Sequence, residues 1–250
     1  MRKFFVESEN INNGIVRILN GDVNHIKNVL RLEIGDKILV CDKIKSNNYV
    51  SEITKISSEE VECNILEEVQ NFVDRNVKLD IFQGSPKADK MELIIQKGTE
   101  LGVNKFIPVK FERCIVKLDG KEAKKIDRWQ KIAEVAAKQS MRDIVPEVKN
   151  VMSVKDIAGV VKDYDLVLLA YELEENNYIK NELLKIKGKN EYNIAVIIGP
   201  EGGLEVKEVE LLKNAGCKVI SLGSRILRTE TVCLQVSSII MYELEENGGN

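Results

Sequence analysis

Histidine is nearly missing from this chain: His25 is the only one in 250 residues. That scarcity excludes a two-histidine metal centre and leaves a Ser-His-Asp triad one candidate base. Cysteine is present without a pairing pattern. Cys41, Cys63, Cys114, Cys217 and Cys233 are odd in number, scattered, and nowhere spaced C-x-x-C, which excludes a zinc ribbon and a thioredoxin-like motif. Their mostly apolar neighbours predict buried, reduced thiols. No apolar run reaches the length of a membrane span, and the run after Met1 is too short for a signal peptide, so the expected location is the cytoplasm. There is no internal repeat and no low-complexity tract; only Gly248-Gly-Asn250 reads as a loose tail. Gly199-Pro-Glu-Gly-Gly203 lacks both the Gly-Lys-Ser/Thr ending of a phosphate-binding P-loop and the G-x-G-x-x-G spacing of a dinucleotide fold.

What is there is ordinary in bulk and uneven in charge. A hydrophobic content of 44% supplies a sizeable core, and the length suits one large domain or two smaller ones. The net charge of -3 hides an asymmetry: residues 1–74 hold 9 basic and 13 acidic side chains, residues 75–150 hold 17 and 11, and residues 151–250 hold 11 and 16. A basic middle inside an acidic protein points to a polyanionic partner, although solvated helix faces give the same count.

Two patterns divide the chain. Lys37–Ile44 and Tyr49–Ile56 alternate with period 2 about a turn at Ser46-Asn-Asn48, and a third strand is expected at Val61–Leu66. Arg31–Asp36 reads as a turn into a strand, and a small barrel is the natural closure for such strands. Glu67–Arg75 reads as the junction, giving domains of 1–72 and 73–250. From Val77 strands alternate with helices. Strands are expected at Val77–Gln83, Lys105–Val109, Asp165–Ala170, Asn193–Ile198 and Lys218–Leu222. Helices are expected at Lys87–Leu101, with Gly102 past its end, and at Ala123–Met141, Glu205–Ala215 and Thr231–Glu246. This alternation predicts an α/β domain with a mostly parallel sheet covered on both sides.

Two late loops carry the chemistry. Ile194–Ile198 runs into Gly199-Pro-Glu-Gly-Gly-Leu204, and Val219–Leu222 runs into Gly223-Ser-Arg-Ile-Leu-Arg-Thr-Glu-Thr231. Loops at the carboxyl ends of parallel strands are where α/β proteins place ligands, and the glycines admit close backbone approach. One such loop is equally well a tight turn; two in succession, carrying Glu201, Arg228 and Glu230, favour a pocket. Thr229 or Thr231 can cap the following helix, and Arg228 can pair with Glu230. Positive charge beside a helix N-terminus also suits a developing anion.

These residues resemble the knotted SPOUT class of RNA methyltransferases, within it the uridine N3-methyltransferases of small-subunit (16S) ribosomal RNA. The resemblance runs nearly end to end, through Met1–Val6, His25–Asp36, Lys87–Glu92, Gln96–Val103, Gln139-Ser-Met-Arg142, Ile198–Leu204 and Leu222–Thr231. Ser224 stands where proline is common, and Val232-Cys233 where small alanines are common. The resemblance implies a PUA-like RNA-binding β-barrel, then a knotted α/β domain that binds S-adenosyl-L-methionine and assembles as a homodimer. It assigns Ala170, Gly199, Gly203, Ile220, Leu222, Leu227, Thr229 and Val232 to the cofactor. Arg228 is the candidate for stabilising the uridine anion, and Glu201 and Glu230 are candidates for taking the N3 proton or orienting the base. Arg2, His25, Arg31, Lys87, Lys90, Arg113 and Arg142 become candidates for ribosomal RNA, with Lys27 and Lys97 as further phosphate contacts. His25 would stack on a base or satisfy a local hydrogen bond. No metal is implied. The apolar surface of the last helix, Val232, Leu234, Val236, Ile239, Ile240 and Leu244, fits a dimer interface or burial within one chain.

Overall fold

The computed structural model describes residues 1–70, 76–114 and 122–245. The expected end of the last helix at Glu246, the tail 248–250 and the 71–75 part of the junction lie outside the described residues. The chain forms two compact units, Met1–Asp74 with Ala137–Val145, and Arg75–Ala136 with Pro146–Asn250.

The first unit is a curled six-stranded sheet. Its strands are β1 (Lys3–Val6), β2 (Ile11–Asn12), β3 (Ile15–Leu19), β4 (Lys37–Asp42), β5 (Asn48–Ile56) and β6 (Glu60–Val69), in spatial order β1-β4-β5-β6-β3-β2. β4, β5 and β6 form where the alternation predicts strands, with bulges at Val50/Ser51 and Ile53/Lys55 interrupting the β5–β6 ladder, and β1 to β3 join them. β1 is the one parallel partner, pairing with β4. A short helix α1 (Gly21–Asn24) runs into a π-helical turn at His25–Leu30, which stops at Arg31 in the left-handed region (φ 53°). Ile26 from this turn joins Phe4, Val16, Ile38, Val40, Ile53 and Val61 in a closed apolar core. Lys3 is buried and pairs with Asp143 at 2.8 Å, and Asp143 also accepts from Asn48 Nδ2 at 2.5 Å.

The second unit is a seven-stranded, wholly parallel sheet. Its members are β7 (Val77–Gly84), β8 (Val103–Lys110), β9 (Glu147–Val148), β10 (Met152–Ser153), β11 (Leu166–Ala170), β12 (Tyr192–Ile198) and β13 (Lys218–Ile220). The order is β10-β8-β7-β12-β11-β13, with β9 also on β8. Its helices are α2 (Ala88–Glu100), α3 (Glu122–Gln139, whose last residues belong to the first unit), α4 (Val154–Val160), α5 (Ile179–Ile186), α6 (Val206–Asn214) and α7 (Thr229–Leu244). Because successive strand residues face opposite sides, the longer strands β7, β8, β11, β12 and β13 feed two cores. Leu79, Ile81, Leu168, Ile194 and Val196 pack with α2, α3, α5 and α7 through Ile94, Ile95, Ala133, Leu183, Val236 and Ile240. Phe82, Val167, Leu169, Ala195 and Ile197 pack with α4 and α6 through Ile157, Val209 and Leu212. Burial on both faces is why these strands read as continuous apolar runs. Gly102, at φ +89°, ends α2 as its position predicts.

All five cysteines are free thiols, and four are buried. Burial pushes the Cys63 and Cys233 thiols up to about 12, so both are protonated and unreactive at neutral pH. No described helix is long and apolar enough to cross a membrane.

Candidate active site

The order β7-β12-β11-β13 sets four carboxyl-terminal strand ends side by side, the usual place for a ligand in a parallel sheet. The segments leaving β11, β12 and β13 surround a cavity of about 710 Å³. Ala170, Gly199, Gly203, Leu222, Leu227, Thr229 and Val232 line it, as do Glu201 and Arg228. Ile220 does not; it is buried in the sheet core at the end of β13. The acidic segment after β11, with Glu172, Glu174 and Glu175, forms another wall. That wall lies in neither glycine loop, so no local motif marks it.

The first loop is held down by close backbone packing. A Cβ on Gly84 would stand 2.5 Å from Pro200 N and 2.8 Å from Gly199 C, so the end of β7 touches the loop directly. Gly203 turns at φ +74°, and a Cβ there would lie 3.0 Å from Glu172 Oε1. Arg113, a candidate for RNA, is fastened to this loop instead. Its Nε donates to Glu205 Oε1 at 2.8 Å and its Nη1 to Gly202 O at 3.4 Å. That hydrogen bond holds the half-buried Glu205 carboxyl below its ordinary range. Glu205 and Glu208 form a capping box at the start of α6, and Glu208 also accepts from the Glu112 N–H at 2.9 Å.

Thr229 has a different task from the cap expected of it. Arg228 occupies the N-cap position of α7, with no side-chain capping bond. The buried Thr229 hydroxyl accepts from Gln83 Nε2 at 2.8 Å and donates to Gly199 O at 2.8 Å. One hydroxyl therefore ties β7, the loop after β12 and the start of α7 together, and Gln83 is a positioning residue that local sequence did not reveal.

Charge is arranged differently from the expected Arg228–Glu230 pair. Glu230 pairs with Lys90, Nζ to Oε2 at 3.2 Å, and the same Nζ lies 3.3 Å from Glu201 Oε1. Arg228 is exposed at the cavity mouth and forms no ion pair among the described residues. Partial burial alone would raise the Glu201 carboxyl, but backbone N–H groups and the Lys90 ammonium hold it below the ordinary range. Desolvation opposes the charge on Lys90, yet the two carboxylates raise it above the usual lysine range. Lys90, a candidate for RNA phosphates, is thus committed to the pocket. Of the other RNA candidates, Arg2, His25, Arg31 and Lys87 are exposed, whereas Arg142 is buried at 3% exposure, so it presents no surface for a phosphate.

Comparison with known proteins agrees with this architecture. Residues 73–241 match the RNA methyltransferase domain family, and residues 18–66 match the RNA methyltransferase PUA domain family. The chain is 38% identical to ribosomal RNA small subunit methyltransferase E of Bacillus subtilis, over 98% of both chains. It is 31% identical to the protein of that name from Aquifex aeolicus, over 96% of this chain and 99% of that one. Among solved structures, ribosomal RNA small subunit methyltransferase E from Neisseria gonorrhoeae bound to S-adenosyl methionine superposes with a TM-score of 0.85 at 28% identity, covering 98% of each chain. Two domain families in the same order, near-complete coverage and a shared fold lead to one assignment: the chain belongs to the ribosomal RNA small subunit methyltransferase E family.

Proposed function

We propose that this protein methylates N3 of a uridine in small-subunit ribosomal RNA, using S-adenosylmethionine. The observation that carries the reading is the cavity itself, where both late loops meet around Lys90, Glu201 and Arg228. Its size falls within the roughly 300–1,000 Å³ of small-ligand sites. Its chemistry suits the cofactor. Ile198, Leu222, Leu227 and Val232 offer apolar contact for an adenine. Glu172, Glu174, Glu175 and Glu201 outnumber Lys90, Arg225 and Arg228 on the walls, which favours a cationic sulfonium. At Gly199 a Cβ would meet Leu204 Cγ at 3.1 Å, so the loop leaves its backbone, not a side chain, to face the ligand. The bound cofactor supplies an electrophilic methyl group.

The chain's own task is to prepare the base. Uridine N3 carries a proton, and its lone pair is unavailable until that proton leaves. Arg228 at the cavity mouth stabilises the negative charge that deprotonation leaves on the base. Glu201 and Glu230, joined through Lys90, are the candidates for taking the N3 proton or orienting the base. Arg2, His25, Arg31 and Lys87 are proposed to face the RNA, and Arg113 acts through the loop it holds. In the same reading residues 1–72 are the RNA-binding domain and residues 73–250 the catalytic one. The C-terminal domain is a trefoil knot, the protein is a cytoplasmic homodimer, and part of α7 forms the dimer interface. The half-buried Val232, Leu234 and Ile239 and the exposed Tyr242 on that helix support the interface.

The test is methyl transfer from labelled S-adenosylmethionine to naked small-subunit RNA and to assembled subunits, followed by mapping of the modified base. Label on uridine N3 is expected in at least one substrate. Label on ribose, on another base or on neither substrate would end the reading.

A further inference from the structure

Three charges meet at Lys90, and three elements bring them there. The first turn of α2 supplies Lys90, the loop after β12 supplies Glu201, and the first turn of α7 supplies Glu230. The two carboxylates are not equivalent. Glu201 lines the cavity, with its side chain 20% exposed; Glu230 is outside the lining and 13% exposed. Glu201 is also held from a second side, because its Oε1 accepts from the Lys87 N–H at 3.4 Å. Both contacts fall on Oε1, and Oε2 takes neither. One ammonium between two carboxylates leaves the cluster with a net charge of −1, and a single arriving proton neutralises it. The other charged groups around the cavity are Glu172, Glu174 and Glu175 from the segment after β11, and Arg225 and Arg228 from the loop before α7.

We infer that Glu201 accepts the proton from uridine N3, that Lys90 positions Glu201 for this, and that Glu230 acts only through Lys90. The inference deepens the uridine-methylation reading and rests on it. In the step, the N3–H bond breaks and its proton passes to the Glu201 carboxylate. The electron pair stays on N3 and forms the bond to the methyl carbon as the carbon–sulfur bond breaks, its pair remaining on sulfur. Lys90 is not itself the acceptor, because its two carboxylate partners keep it protonated at neutral pH. Its ammonium fixes one Glu201 rotamer and keeps that carboxylate ionised and able to receive a proton. Glu230 holds the ammonium from behind, as the third member of a catalytic chain orients the second.

Two measurements test this, one of which needs neither cofactor nor RNA. The Glu201 side-chain carboxyl is followed by NMR from about pH 8 to about pH 3 in the free protein. Lys90→Met is expected to move its titration upward by about one pH unit or more, since an opposite charge has been removed. Identical titration in wild type and Lys90→Met would overturn the positioning role whether or not the protein methylates RNA. The second measurement is the single-turnover rate at saturating cofactor. Glu201→Gln is expected to lose about 10²-fold or more. Lys90→Met should lose up to about 10²-fold through misplacement, with the low-pH arm of its rate profile displaced upward, and Lys90→Arg should restore most of the rate. Glu230→Gln should slow the wild type but have little further effect in the Lys90→Met background. An undiminished rate in Glu201→Gln, or an equal loss from Glu230→Gln in both backgrounds, would overturn the assignment. Loss of methylation by the wild type itself would instead strike the uridine reading.

Discussion

Arg228 is a strong cation at the cavity mouth with no ion-pair partner among the described residues, a state it shares with Arg225. A positioned donor to a developing anion typically contributes about 10²–10³ in rate. Arg228→Ala is therefore expected to lower the single-turnover rate by about that factor while leaving the melting temperature within a degree or two, because an exposed side chain contributes little to packing. A normal rate in a folded Arg228→Ala protein would remove Arg228 from the chemistry. Thr229 makes the opposite case, a small buried residue with a structural effect. Thr229→Val keeps the shape but leaves the Gln83 amide without its hydroxyl partner and Gly199 O without a donor. Leaving a buried polar group unpaired costs about 1–3 kcal/mol, so the variant should melt lower and bind S-adenosylmethionine more weakly, as read by calorimetry. Neither role is visible locally. A hydroxyl at the start of a helix reads as a cap, and Gln83 lies 146 positions away from Thr229.

Elements were legible where burial imposes a period. The parallel strands of the second unit read as apolar runs, and α2, α3, α6 and α7 showed apolar spacing. Elements whose residues break a period were not. β1 is buried at all four positions, and one of the four is Lys3, whose charge is paired with Asp143, 140 positions later. The π-helical turn at His25–Leu30 buries only Ile26, too little to announce a helix. β9 and β10 are two residues each. The two motif loops were legible as a pair from their glycines, but not what presses on the first of them. That pressure comes from the end of β7, where Gly84 meets Pro200 and Gly199. Gly84→Ala would drive a methyl group into backbone that has no rotamer with which to yield. Overpacking of this kind costs about 1–3 kcal/mol, and here the readiest relief is displacement of the Gly199–Gly203 loop. The variant is expected to lose at least about tenfold in cofactor affinity while retaining the secondary structure of the sheet. Unchanged affinity by calorimetry would mean that β7 does not set the loop's position.

Across the whole molecule, acid stability follows from how the carboxylates are held. In the first unit, burial would raise Asp42, but bonds from the Lys45 and Ile44 backbone and from Ser8 bring it below its ordinary range. In the second unit, Lys189 and the Asn193 N–H lower Asp165, the Asn176 and Asn177 N–H groups lower Glu174, and Arg113 lowers Glu205. Lys185 and Asn177 lower Glu182 against its burial. Each of these groups binds its proton more weakly folded than unfolded. The stability each supplies is complete above the unfolded carboxylate range, near pH 4, and is lost as pH falls through the folded value. The lysines and Arg113 whose charges are favoured work in the other direction and weaken only at strongly alkaline pH. The melting temperature should therefore be nearly level from about pH 6 to about pH 9 and fall steeply below about pH 5. Added salt should reduce that fall only in part. It screens the surface Glu205–Arg113 and Asp165–Lys189 pairs, but the backbone N–H bonds to Asp42 and Glu174 are short-ranged and persist. A melting temperature that rises on acidification, or an acid arm abolished by moderate salt, would show that these held carboxylates do not govern stability. Both units contain such groups, so the acid arm should appear in reporters placed in either one, whether the two melt together or in sequence.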